Sequence, residues 1–145
     1  MNILRVTSEQ LQVLTELALL LWPRHAFDEL KEEFSELLTQ GEAALFLATK
    51  DRKGIGFAHC QLRHDYVEGT ESSPVGYLEG IFVREEYRNH GVARALVEAC
   101  EDWAREQGCS EFASDCELTN TMSLKFHLSI GFEEANRNIH FCKKL

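Results

Sequence analysis

Tyr77-Leu-Glu-Gly-Ile-Phe-Val-Arg-Glu-Glu-Tyr-Arg-Asn-His-Gly-Val-Ala-Arg-Ala-Leu96 runs from an apolar stretch through a charged loop into a helical pattern. Val75 to Val83 is apolar enough for a strand buried on both faces, with Glu79 as its one charged residue. Beyond the loop, Val92, Leu96, Cys100 and Trp103 recur at helical spacing. Glu98, Glu101, Asp102 and Arg105 take the other face, and Gly108 stops the helix. At the junction lies Arg88-Asn89-His90-Gly91-Val92-Ala93. The first turn of a helix presents unpaired N–H groups and the positive end of its dipole, which together make an anion site. Gly91 and Ala93 leave room for a phosphate, and Arg88 adds a positive charge. One glycine is too few for a Walker loop or a dinucleotide fingerprint, and no Gly-Lys-Ser/Thr follows. Nucleoside triphosphates and nicotinamide cofactors are therefore not supported.

Upstream of this unit, residues 2–6 alternate as a short strand, and Ser8 offers a cap for a helix reaching Trp22, closed by Pro23. Phe27, Leu30, Phe34, Leu37 and Leu38 predict a second helix ending at Gly41. Residues 43–49 read as a buried strand, Asp51-Arg52-Lys53-Gly54 as a hairpin turn, and Ile55 to Tyr66 as the partner strand. Residues 67–74 have loop composition. Downstream come a strand at 111–115, a helix from Thr119 to Ile130 and a terminal strand from Phe132 to Lys143. The order β-α-α-β-β-β-α-β-α-β predicts a single α/β (α+β) domain over 1–145, with a mixed, mostly antiparallel sheet flanked by helices.

With 145 residues, of which 44% are hydrophobic, the chain fills one core and leaves no room for a second domain. The N-terminus lacks signal-peptide features, and no apolar run approaches the ~18 residues of a membrane span. Five widely spaced cysteines without a Cys-x-x-Cys pair predict neither a disulfide framework nor a zinc cluster, and so a cytoplasmic location. The expectation for Cys109 and Cys116 is inert, buried sulfur. Six histidines offer no ligand spacing, so no metal is expected. A net charge of −9 disfavours nucleic acid and favours a cationic substrate.

The segment 77–96 resembles the Arg/Gln-x-x-Gly-x-Gly/Ala signature of the GCN5-related N-acetyltransferases. Asn120, and Gly131-Phe132 eleven residues later, match that family's last helix and strand, and the element order fits from end to end. Leu21-Trp22-Pro23, Arg63-His64-Asp65-Tyr66-Val67-Glu68-Gly69, Ser72-Ser73-Pro74-Val75, Leu78 to Val83 and Ala113-Ser114-Asp115 are similar to the short subgroup of aminoglycoside 6'-N-acetyltransferases. The resemblance implies acetyl-CoA as co-substrate. Its pantetheine arm would lie along the backbone of Ile81, Phe82 and Val83, its pyrophosphate on the loop Asn89, His90, Gly91, Val92, Ala93 and Arg94, and Asn120 would touch it. It implies that Trp22, His25, Tyr66, Glu79 and Asp115 line the drug site and that the enzyme is a homodimer using its C-terminal strand. Asn136 stands where the resemblance leads one to expect a further carboxylate, which bears on which drugs are accepted.

The chemistry asks for similar groups independently. A protonated amine cannot attack a thioester until a proton leaves, so a carboxylate or a water chain ending on one is needed. Glu79 is the candidate base, with Asp115 as a second group to hold or deprotonate the amine. Backbone N–H groups near Ile81 would steady charge on the thioester oxygen. The resemblance sets His127 where many relatives of the superfamily carry a general-acid tyrosine, which implies an acid for the departing thiolate, with a packing role preferred. Two other readings stay open, acetylation of a polyamine or a protein N-terminus, and a non-catalytic CoA-binding interaction module.

Overall fold

Alternation along the strand Ala43–Lys50, β2, organises the molecule. Leu45 and Leu47 point to one face of the sheet, where they meet Leu14, Leu17, Ala18, Leu30, Phe34 and Phe57. Ala44, Phe46 and Ala48 point to the other, where Leu96, Val97, Cys100 and Trp103 cover them. Each large apolar side chain so buried contributes about 1.5–3 kcal/mol of transfer free energy.

The computed structural model describes residues 1–145. In chain order they form β1 (Asn2–Arg5), α1 (Leu11–Leu21), α2 (Phe27–Gln40), β2 (Ala43–Lys50), β3 (Lys53–Arg63), β4 (Val75–Val83), α3 (Val92–Glu106), β5 (Phe112–Ala113) and α4 (Thr121–Ser129). The strands make one sheet in the order β1-β2-β3-β4-β5. All neighbours are antiparallel except β4 and β5. This is the α+β arrangement expected, with α1 and α2 on one face and α3 on the other. No helix is long and apolar enough to cross a membrane.

Several boundaries differ from expectation for local reasons. Thr7, not Ser8, caps the first helical turn. Its Oγ1 accepts from Glu9 N at 3.4 Å and its own N–H donates to Gln10 Oε1 at 2.8 Å, a reciprocal capping box. The hairpin turn uses only Asp51 and Arg52, at φ 49° and 64°, with Lys53 already paired to Lys50. Gly54 pairs with Thr49 and so belongs to β3, with α1 packed close against it. A Cβ there would lie 2.6 Å from Val13 Cγ1. Cys116 is exposed, against the expectation of burial, since β5 stops after Ala113 and the following segment is open to solvent.

The largest difference is at the C-terminus. Residues 132–145 carry the alternation of a strand but form none. A strand exists only with a ladder partner, and no strand of this chain pairs with the arm. Ile139 and Phe141 are 81% and 91% exposed.

Candidate active site

β4 is pulled out of register at the residue that matters. His59 pairs with Gly80 and Cys60 with Leu78, so Glu79 is an extra residue opposed by nothing on β3. Such a bulge bends the strand and re-aims the side chain it carries. On its other side β4 meets β5 only at Gly76–Phe112 and Tyr77–Ala113. From Leu78 to Val83 that edge has no strand beside it, and its peptide groups are available to an extended ligand. Burial follows suit. Val75 to Leu78 are buried, whereas Glu79 to Phe82 are only partly so, rather than the whole strand being buried on both faces.

At the end of this edge Arg88 turns back, and its Nε donates to Val83 O at 2.9 Å. Asn89 and Gly91 then take left-handed conformations, φ 63° and 80°. The first backbone bond of α3 is Ala95 N to Gly91 O, so the N–H groups of the first turn are unpaired within the helix. A Cβ on Gly91 would meet nothing within 4 Å, so the space in front of this helix start is open. Arg94 reaches across to Ser129 O at 3.3 Å and ties α3 to the end of α4. His90 Nδ1 lies 2.7 Å from Arg88 O, which shapes the loop. Asn120 caps α4, its Oδ1 accepting from Ser123 N at 3.1 Å. These features fit a diphosphate with an extended arm. The helix start and Arg88 would balance its charge, and the free edge at Ile81, Phe82 and Val83 would be open to its amides.

Around Glu79 the side chains form one network. Arg63 Nε and Nη2 each donate to a different Glu79 oxygen at 2.9 Å. The Arg63 guanidinium lies flat on the Tyr77 ring, 3.4 Å from its centroid. The Tyr77 hydroxyl donates to Asp115 Oδ2. Burial, then the Asp115 hydrogen bond and charge, push the Tyr77 phenol well above its usual range. The Glu79 hydrogen bond raises Arg63 despite partial burial. Trp22 closes one side. Pro23 forces it out of the helix, and its ring lies so close to Gly80 that a Cβ there would come within 2.6 Å of Trp22 Cη2. His25 sits beside Trp22, ring centroids 6.4 Å apart, and is exposed.

Glu79 is thus linked to Asp115 through Arg63 and Tyr77, and Trp22, with His25 beside it, packs on Gly80 next to Glu79. Tyr66 is 76% exposed on the loop after β3, and the exposed Asn136 donates to Glu68 on that same loop. A carboxylate at 136 would face Glu68 as a like charge. His127 is held at both nitrogens. Nδ1 lies 2.7 Å from the Ser123 carbonyl, to which it must donate, leaving Nε2 to accept from Ser114 Oγ at 2.8 Å. With Phe126 and Phe132 against its ring, it ties α4 to the segment after β5.

Arg63 and Tyr77 were not assigned from sequence. Their signal was there, in the polar residues His59, Gln61 and Arg63 alternating with Ala58, Cys60 and Leu62.

A free strand edge leading from paired carboxylates to an anion-binding helix start defines an acyl-CoA-dependent N-acyltransferase. Consistent with this, the model of the Acetyltransferase (GNAT) family matches residues 10–132, and the chain belongs to that family. It is 45% identical over 124 residues to the aminoglycoside N(6')-acetyltransferase type 1 of Salmonella typhimurium, covering 86% of each chain. To the protein of that name from Acinetobacter baumannii it is 41% identical over 146 residues, covering 100% of this chain and 99% of the other. The solved structure of AAC(6')-Iy with the bisubstrate analogue CoA-S-monomethyl-acetylneamine superposes with a TM-score of 0.95 at 41% identity, covering 99% and 98%.

Two outcomes follow. Gly91→Ala places a Cβ in the diphosphate space and strains a φ of 80°, so KM for acetyl-CoA should rise by about tenfold or more while the folded spectrum is kept. Steady-state kinetics with circular dichroism checks this. His59 is partly buried, edge-on to Phe34, and its buried Nε2 is unpaired. Burial lowers its pKa from 6.5, and Glu79 offsets this only in part. The unfolded chain therefore takes up a proton that the folded one resists. Stability should be full above about pH 6.5 and decline below it, and His59→Gln should flatten that decline in urea melts at pH 7.5 and 5.5.

Proposed function

We propose that this GNAT enzyme transfers the acetyl group of acetyl-CoA to the 6'-amine of aminoglycoside antibiotics and thereby confers resistance. What carries the reading is the pair Glu79 and Asp115, set beside Trp22 at the open end of the β4 edge. Names of relatives at 41–45% identity over most of the chain support the substrate class, as does the bisubstrate complex of a structural neighbour. When bound, acetyl-CoA supplies an activated acetyl thioester.

The chain's residues do the rest. The helix start at Gly91–Arg94 and Arg88 hold the diphosphate. Peptide groups of Ile81 to Val83 hold the arm, with an N–H near Ile81 turned to the carbonyl oxygen, and Asn120 closes the pocket from α4. Glu79 and Asp115 bind the amine and accept its proton, directly or through water. Trp22, His25 and Tyr66 receive the sugar rings, and Asn136 with Glu68 shapes the rim. A net charge of −9 draws the polycation in. No acyl-enzyme is required, because both substrates meet in one complex. Five free cysteines suit a reducing cytoplasm.

The enzyme acts as a homodimer in this proposal. Ile139 and Phe141 are exposed on an unpaired arm, and a hollow lined by Phe112, Ile130 and Phe132 lies beside β5. Exchange of arms between two copies would give each a ladder partner.

Purified protein should acetylate tobramycin and kanamycin with stoichiometric thiol release, and its expression should raise the inhibitory concentration of both drugs. Glu79→Ala and Asp115→Ala should each lower kcat/KM by about 10²–10⁴-fold. Turnover of spermidine or a peptide with none of either drug would defeat the substrate assignment. Light scattering should give twice the chain mass, and deletion of residues 137–145 should halve it.

A further inference from the structure

Arg63 poses an electrostatic question to the site described above. A polycation is to be held by Glu79, yet that carboxylate already has both oxygens on a guanidinium at 2.9 Å. Arg63 is itself braced by the Tyr77 ring at 3.4 Å, and Tyr77 is tied to Asp115, so the arrangement is built rather than incidental. A carboxylate has roughly four lone-pair positions. Arg63 uses two and leaves the outward ones for a substrate nitrogen.

We propose that Arg63 is a positioning residue for acyl transfer. By gripping both oxygens of Glu79 it cancels that carboxylate's charge beside the amine, so the substrate nitrogen is bound without being trapped as an ammonium ion. The inference rests on the assignment of an amine substrate to this site.

The chemistry requires such a balance. R–NH3⁺ must first give up one proton, which passes by way of a carboxylate to solvent. The freed nitrogen pair then forms the C–N bond, the C–S bond breaks with its electrons going to sulfur, and a second nitrogen proton ends on that sulfur as amide and thiol. A lone carboxylate within about 4–6 Å favours the ammonium form by about 1–3 pKa units, depleting the nucleophile at neutral pH by about tenfold to a thousandfold.

The groups that face the amine position are few. β3 brings Arg63 and His59, the latter disfavoured from charging by burial. β4 brings Glu79 and Tyr77, whose phenol stays neutral. The segment after β5 brings Asp115, and the α1–α2 connection brings His25 beside Trp22. Two carboxylates against one guanidinium leave one negative charge for one ammonium. Without Arg63 there would be two. Arginine suits this place because its fork binds both oxygens and never deprotonates.

The test compares the unaltered protein with R63Q, R63K and E79Q, measuring kcat and KM for tobramycin separately across pH 5.5–9, with acetyl-CoA binding as the folding control. In R63Q, KM for the drug should fall or hold, kcat at pH 7 should drop about tenfold, and the acid limb of the kcat profile should move up by about one pH unit or more. R63K keeps the charge and should hold the limb close to its original place. E79Q leaves the guanidinium uncompensated and should move the limb the other way, with a raised KM, so the proposal stays testable if R63Q does not fold. A folded R63Q with an unmoved acid limb, whatever its rate, would overturn the proposal, as would an E79Q limb moving upward. If the unaltered protein acetylates no aminoglycoside, the substrate reading fails first and this inference falls with it.

Discussion

Beyond Tyr77, β4 is hydrogen-bonded on one side only. Peptide groups at a strand edge need partners, and most proteins cover or blunt such edges. Here the edge is kept open by the bulge at Glu79, which bends β4, and by the brevity of β5, which pairs at two positions. Both halves of the site depend on this parting. The edge itself is the track in the proposed binding of the acyl carrier, and the bulge turns Glu79 towards Arg63 at the start of that edge. Arg88, folded back on Val83 O, marks where the strand stops and the anion-binding helix start begins.

The charges in the site are arranged with more economy than the acidity of the whole chain implies. A formal charge of −9 provides a long-range field for cations, but long-range attraction does not deprotonate an amine. In the proposed mechanism that task falls to the groups at close range, where Arg63 sits between Glu79 and the Tyr77 ring and Tyr77 holds Asp115. The partly buried His59, with its lowered pKa, and the raised Tyr77 phenol add no charge beside them. Binding and chemistry thus make opposed demands on the same carboxylates.

The histidine on α4 illustrates how position and role separate. His127, for which the sequence left an acid role open, has one nitrogen against the Ser123 carbonyl and the other against Ser114, with aromatic rings on either side. It secures the segment carrying Asp115 to α4. The arm beyond it has the opposite character, with large apolar residues exposed and no ladder. An apolar, alternating segment without a partner has the pattern of a strand but not its ladder.

The order of helices and strands as far as α4, the two apolar faces of β2, the helix start at Gly91 and the candidate carboxylates were all legible from sequence, because each depends on periodicity, a turn residue or a motif a few residues long. The two-residue turn at Asp51–Arg52, the shortness of β5 and the unpaired arm were not, because each depends on what another segment offers in space. The same holds for the grip of Arg63 on Glu79. Arg63 is sixteen residues from its partner in the chain, and only a strand pairing with a bulge of one residue brings a guanidinium and a carboxylate face to face. Local pattern determined which groups this protein possesses. The register of its strands decided which of them meet, since a slip of one residue would turn every side chain to the opposite face.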